Sequence, residues 1–225
     1  MKRSVIAILV VFGAFLAGSQ VANTAPNYVC TTPTVGGTYG NVNVPAGAQC
    51  SLDGTRVLGN VTVGTGASLD TSNSSGDTTV AGNISGKNCD HILLESPSNT
   101  HRTAVGGDLN IVNCTDGSFN GAQGGVSAGP PPNMLIGGNV KCDGNPAGCV
   151  FDYAVVGKSL ECNGNFDCDL QSDAIGHNAT INNSTSSMFV LNSIIGGNLV
   201  CFGNSGAIGS GNTVAGTESG QCTGF

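Results

Sequence analysis

Ten cysteines commit this chain to a chemistry more firmly than any other residue type. All lie from Cys30 onward, and no Cys-x-x-Cys pair occurs among them. A zinc site needs clustered thiolates and imidazoles, yet only three histidines are present. An even number of cysteines in this pattern reads as disulfides formed in an oxidising compartment.

Acid–base chemistry has fewer footholds. Glycoside hydrolysis and related reactions need paired carboxylates, and the nearest set is Asp152, Asp169 and Asp173. A second polar cluster, Asp90, His91, Glu95, His101 and Arg102, combines two of the histidines with acids and an arginine, the residue types of a loop-borne metal or catalytic site. The run Asn163, Asn165, Asp167, Asp169 alternates like the opening of a calcium loop, but the glycine and terminal glutamate of an EF-hand do not follow. No metal or cofactor is therefore assigned, calcium being the one ion the pattern hints at.

These residues are positioned by a repeat. The unit reads aliphatic, any residue, Gly, Asn, aliphatic, any residue, apolar, and begins at Val57, Val80, Val105, Ile136, Val156, Ile175 and Ile195, with degenerate copies at Thr38 and Val214. The spacings are 19, 23, 25, 31, 20, 19, 20 and 19 residues. A period near twenty, with apolar residues at alternate positions and Gly-Asn punctuation, is one coil of a solenoid of short strands. Helical repeats need longer units and fewer glycines. The expected fold is all-β: a single-stranded, right-handed parallel β-helix of about eight to nine coils, stapled by disulfides, rising roughly 4.8 Å per coil to a rod of about 40 Å.

Stacked in register, the copies form columns. The fourth position carries Asn41, Asn60, Asn83, Asp108, Asn139, Ser159, Asn178 and Asn198. An asparagine there suits a left-handed turn and can bond its copy in the next coil through its amide. The third position is mostly glycine, as a turn with unusual dihedrals would require. Asp53 and Asp152 share a column four residues before the anchor, with Asp169 and Asp173 close by on the next coil, giving an acidic side to the rod.

The cysteines fall into the same columns. Cys89 and Cys114 each lie nine residues after an anchor, Cys30 and Cys50 precede neighbouring anchors by eight and seven, and Cys201 and Cys222 follow theirs by six and eight. Neighbouring coils would thus be joined by Cys30–Cys50, Cys89–Cys114 and Cys201–Cys222. The remaining four admit two answers: Cys142–Cys149 with Cys162–Cys168 inside coils, or Cys142–Cys162 with Cys149–Cys168 between coils. The first is preferred, because stacked positions on parallel strands hold their Cβ vectors side by side.

Lys2 and Arg3 followed by an apolar run from Val5 to Ala17 read as a signal peptide, 1–25, with cleavage after Ser19 or Ala25. The domain is then 26–225, with insertions at about 86–104 and 115–133, and no later segment is apolar long enough to be transmembrane. Two of the seven basic residues lie in the leader, leaving five against fourteen acids, which disfavours nucleic acid as a partner.

The Gly-Asn unit resembles that of a group of uncharacterised secreted bacterial parallel β-helix proteins, and the ending from Gly197-Asn198-Leu199-Val200-Cys201 through Gly211-Asn212-Thr213-Val214 to Gly220-Gln221-Cys222 resembles their C-terminal signature. The resemblance covers nearly all of 30–222 and implies a fold without an activity. The rung pattern is also similar to bactofilins, polymer-forming cytoskeletal β-helices of the cytosol, from which the leader and disulfides here depart. Pectin-degrading β-helix enzymes carry Asn-x-Asp, Asp-Asp and Gly-His-Gly motifs; the nearest fragment here is Gly176-His177-Asn178, which falls on the repeat itself. The expectation is a secreted or cell-surface, noncatalytic scaffold or adhesive module, with extracellular polysaccharide or a second copy as partner. A carbohydrate-active enzyme using Asp152, Asp169 and Asp173, and an end-to-end polymer, are the alternatives.

Overall fold

The computed structural model describes residues 25–31, 34–71, 76–95, 101–120 and 134–225. Every strand pairing in it is parallel and joins one coil to the next, giving an all-β solenoid of about eight turns, with no helix among the described residues. The later coils show the plan most regularly. Val140–Asp143, Cys149–Asp152 and Ala154–Val156 form one turn; Leu160–Asn163, Cys168–Gln171 and Ala174–Ile175 form the next. Each turn therefore has three faces, in chain order first, second and third.

Alternation puts every second side chain inside. Val42, Val61, Ile84, Leu109, Val140, Leu160, Ala179 and Leu199 stack in one inward column of the first face, all buried. Val57, Val80, Val105, Ile136, Val156, Ile175 and Ile195 do the same on the third. Each such side chain contributes roughly 1.5 to 3 kcal/mol, so the core needs no large aromatic cluster. The first copy is shifted by one residue: Tyr39, not Thr38, stands opposite Val57.

Corners, rather than faces, carry the polar order. Before the first face, the backbone N–H of Asn60 donates to Asn41 Oδ1 at 2.9 Å, that of Asn83 to Asn60 at 2.8 Å, that of Asp108 to Asn83 at 2.7 Å, and that of Asn198 to Asn178 at 2.9 Å. The ladder thus runs mainly from main chain to side chain, rather than amide to amide. None of these asparagines is left-handed. The left-handed residues occupy the other corners: Asn88, Asn113 and Asn183 after the first face, and Tyr153, Ser172 and Asn192 after the second.

Glycine in the third position also has a different cause from the one its type suggests. Gly59, Gly82, Gly107, Gly138 and Gly197 have no positive φ. A Cβ on any of them would collide with the Asn or Asp oxygen of the preceding coil. Close approach, not dihedral freedom, excludes a side chain. Where Lys158 and His177 replace the glycine, the ladder stretches to 3.3 Å at Ser159 and 3.4 Å at Asn178.

Disulfides link Cys30 to Cys50, Cys89 to Cys114 and Cys201 to Cys222 between adjacent coils, and Cys142 to Cys149 and Cys162 to Cys168 across a corner within a coil. The last two lie directly over one another, Cys142 opposite Cys162 and Cys149 opposite Cys168.

Gly107→Ala should therefore lower thermal stability by about 1 to 3 kcal/mol, the cost of overpacking, because Asn83 Oδ1 must move and its bond to Asp108 break. Asn83→Gly together with Gly107→Ala should lose less than the sum of the two single changes in a double-mutant cycle of melting temperatures.

Candidate functional site

Three insertions leave the coils at one corner. The second-face strands Ser68–Asp70, His91–Glu95 and Asp116–Asn120 are stacked neighbours, and the chain returns from each to the third face at Thr78, Thr103 and Met134, which are also stacked. Elsewhere this corner is a turn of one or two residues, as between Asp152 and Ala154 or Gln171 and Ala174. The base of the second insertion is pinned: Thr103 Oγ1 donates to the Glu95 carbonyl at 2.7 Å, and the Glu95 N–H donates to buried Thr71 Oγ1 at 3.0 Å. Residues 72–75, 96–100 and 121–133 lie outside the described residues.

Beside this corner, on the second face, a shallow groove of about 330 Å³ is lined by Val150, Asp152, Asp169, Gln171, Phe189 and Leu191. The outward positions of three successive strands build it, since Val150, Asp169 and Phe189 form one column and Asp152, Gln171 and Leu191 the next. Its floor mixes carboxylate, amide and apolar surface. Tyr153, which directly follows Asp152, is 41% exposed and holds φ at 54°. A left-handed tyrosine is strained, with Gly or Asn the easier residue there. Such strain is found at functional positions that the surrounding structure over-determines.

Asp169 lies in a coil one residue shorter than its neighbours at the corner before the second face, where Cys162 and Cys168 are six apart and Cys142 and Cys149 seven. Burial pushes the Asp169 carboxyl up to about 6; the charge of Asp167 adds to this, and the Phe189 N–H, donating to Asp169 Oδ1 at 3.0 Å, opposes it. Asp169 and Asp152 are thus brought to one groove. Asp173 is not: it is 2% exposed, and its Oδ1 accepts the Ala154 N–H of the preceding coil at 2.7 Å. Burial holds its carboxyl well above the ordinary range, against the pull of the N–H groups of Ala154 and Gln171. Asp53, in the same column as Asp152, is buried several coils away.

The other polar residues singled out by type are dispersed or engaged. His91 meets Asp90 at 3.3 Å, and Ser68 Oγ donates to the same carboxylate. The Arg102 N–H donates to Asp77, while Glu95 lies on a strand of the second face. Asn165, the second residue of the calcium-like run, is buried and donates to the Cys142 carbonyl. No group of three or more His, Cys, Asp or Glu side chains among the described residues is placed to hold a metal ion.

Two ladders escaped the sequence reading. One passes from Cys114 N–H to Asn145 and from Asn145 N–H to Asn165, then from Ser184 N–H to Asn204 and from Asn204 N–H to Gln221. The other passes from Ala154 N–H to Asp173, Asp173 N–H to Ser193 and Ser193 N–H to Asn212. Apart from Cys114 to Asn145, which are 31 apart, their spacings of 17 to 20 residues were the available signal, hidden by changing residue type.

On the third face the outward column Ala104, Leu135, Val155, Ala174 and Ile194 is apolar over five coils. Fold and site together define a disulfide-linked parallel β-solenoid with a groove beside its inserted corner. Compared with known proteins, the chain matches no family model, no curated protein and no solved structure. The likeness to secreted bacterial β-helices and to bactofilins goes no further than the parallel β-solenoid.

An acid whose folded-state proton affinity is raised stabilises the fold below its unfolded value and loses that contribution as pH rises through its folded value. Asp169→Asn should thus be more stable than the parent at pH 7 and nearly equal to it near pH 4, the difference in melting temperature opening between the unfolded value of 3.8 and the folded value of about 6 and staying constant above it. Asp173→Asn should keep the Ala154 bond and fold normally. Asp173→Ala should cost about 1 to 3 kcal/mol in denaturant unfolding, through the orphaned N–H.

Proposed function

We propose that this chain is an exported, noncatalytic β-solenoid scaffold or surface module that binds an extracellular polysaccharide along the groove beside its inserted corner. The observation that carries the reading is the clustering of three insertions at one corner of successive coils, the last of which directly precedes the coils of that groove. In solenoids the face from which insertions project is commonly the binding face. A sugar polymer needs flat apolar or aromatic surface for its ring faces and hydrogen-bonding groups for its hydroxyls. Phe189, Leu191 and Val150 supply the first, and Asp152, Asp169 and Gln171 the second. A neutral polymer fits better than an acidic one, because the groove's charged groups are carboxylates. Five disulfides and the leader-like N-terminal sequence support an oxidising, extracytoplasmic location.

A carbohydrate-active enzyme is the second reading, favoured by one observation: Asp169, with its proton affinity raised to about 6, shares the groove with Asp152. That is the pairing of an acid with a base that glycoside hydrolysis uses.

The two readings separate when the purified chain is incubated with neutral and acidic polysaccharides, and both retention and product release are followed. Binding without turnover, preferring neutral polymers and weakened by Phe189→Ala, is expected. Turnover abolished by Asp152→Ala would establish the enzyme instead, and retention unaffected by any groove substitution would remove the site. Tyr153→Gly should raise stability by about 1 to 2 kcal/mol by relieving the left-handed strain, read as a higher melting temperature.

A further inference from the structure

The C-terminal end of the rod is built differently from every coil before it. Inward positions of its last turn are Ala207, Gly209, Val214, Glu218 and Gly220, standing opposite Met188, Val190, Ile195, Leu199 and Cys201. Apart from Val214, small residues and a carboxylate thus replace the bulky apolar set, which by itself would leave the core open. Met188, Val190, Ile195 and Leu199 are nevertheless wholly buried.

What covers the end is the segment Gln221–Phe225. The Phe225 ring packs on the core over Gly209, in space that any Cβ there would occupy. Gly224 N–H donates to Glu218 Oε2 at 2.8 Å, and Thr223 Oγ1 donates to the Gly220 carbonyl at 3.0 Å. Gln221 is held at both ends of its amide by Asn204, accepting its N–H at 2.8 Å and donating to its carbonyl at 2.7 Å. Cys222 is bonded to Cys201. At the opposite end the rings of Tyr28 and Tyr39 lie 4.6 Å apart, opposite Val42 and Val57.

A further coil, from this chain or another, would have to bring its strands to about 4.8 Å from Gly206–Ser210, Thr213–Val214 and Glu218–Gly220. The turn at Thr223 and Gly224 and the Phe225 ring stand in that path. We propose that Gln221–Phe225 is a stop that keeps the rod monomeric, and that without its last three residues the C-terminal end becomes a docking surface for a second copy of this chain. The unpaired edges and the floor at Val190, which lies opposite Gly209 under the Phe225 ring, would then supply both the hydrogen bonds and the apolar area for association. This inference is independent of the groove, and it opposes the end-to-end polymer as the state of the intact chain.

The test compares the full chain with one lacking residues 223–225, which keeps Cys222, by light scattering over a wide range of concentration. The full chain should keep the mass of one copy throughout. The shortened chain should climb with concentration to at least about twice that mass, as for a dimer or longer stack. Should the shortened chain fail to fold, deletion of Gly224 and Phe225 alone takes its place, because it removes the ring and the bond to Glu218 while keeping the disulfide and adding no charge to the floor. A folded variant that stays monomeric throughout, or a full chain that itself associates, would overturn the proposal.

Discussion

The structure depends on one repeated bond: a backbone N–H at a corner of one coil donating to a short side-chain oxygen in the coil next to it. Strand pairing satisfies the faces of a solenoid, but at each corner the chain changes direction and its polar groups lose their partners in the sheet. Asn60, Asn83 and Asn178 restore a partner before the first face, Asn145, Asn165 and Asn204 after it, and Asp173, Ser193 and Asn212 after the second. Buried polar groups left without partners are costly, so these columns fix which residue types each corner accepts. They also fix the glycines, since an oxygen reaching across to the next coil leaves no room for a Cβ.

That constraint explains where chemistry can and cannot sit. A carboxylate in a ladder, such as Asp173, is held inside the rod by its bond to Ala154 and is lost to any ligand. On the outward positions of the faces such bonds are the exception, as where Asp169 accepts the Phe189 N–H of the next coil. Asp152, Asp169, Gln171 and Phe189 gather there, beside the corner that also tolerates three insertions and a strained tyrosine. Both ends of the described stack are covered, by Tyr28 and Tyr39 on one side and by Phe225 on the other.

The period, the inward columns and the parallel register were legible because aliphatic residues recur at fixed offsets and a one-residue slip would expose them. The role of the third-position glycine was not legible, since residue type alone does not distinguish a turn from a close approach. The burial of Asp173 was hidden for a related reason. Its column changes from Asp to Ser to Asn, so a ladder defined by an oxygen atom did not register as a repeated residue. Asp152 and Asp169 were recognisable as neighbours in the stack, but the groove between them depends on Phe189 and Leu191, which read only as strand residues.

The central claim is that chain neighbours in the repeat are spatial neighbours in the stack. Its most direct test is the disulfide map of the unreduced protein, obtained by proteolysis and mass spectrometry. The account predicts Cys30–Cys50, Cys89–Cys114, Cys142–Cys149, Cys162–Cys168 and Cys201–Cys222. A linkage such as Cys30 to Cys222 or Cys89 to Cys201 would need distant coils to touch, and would contradict it.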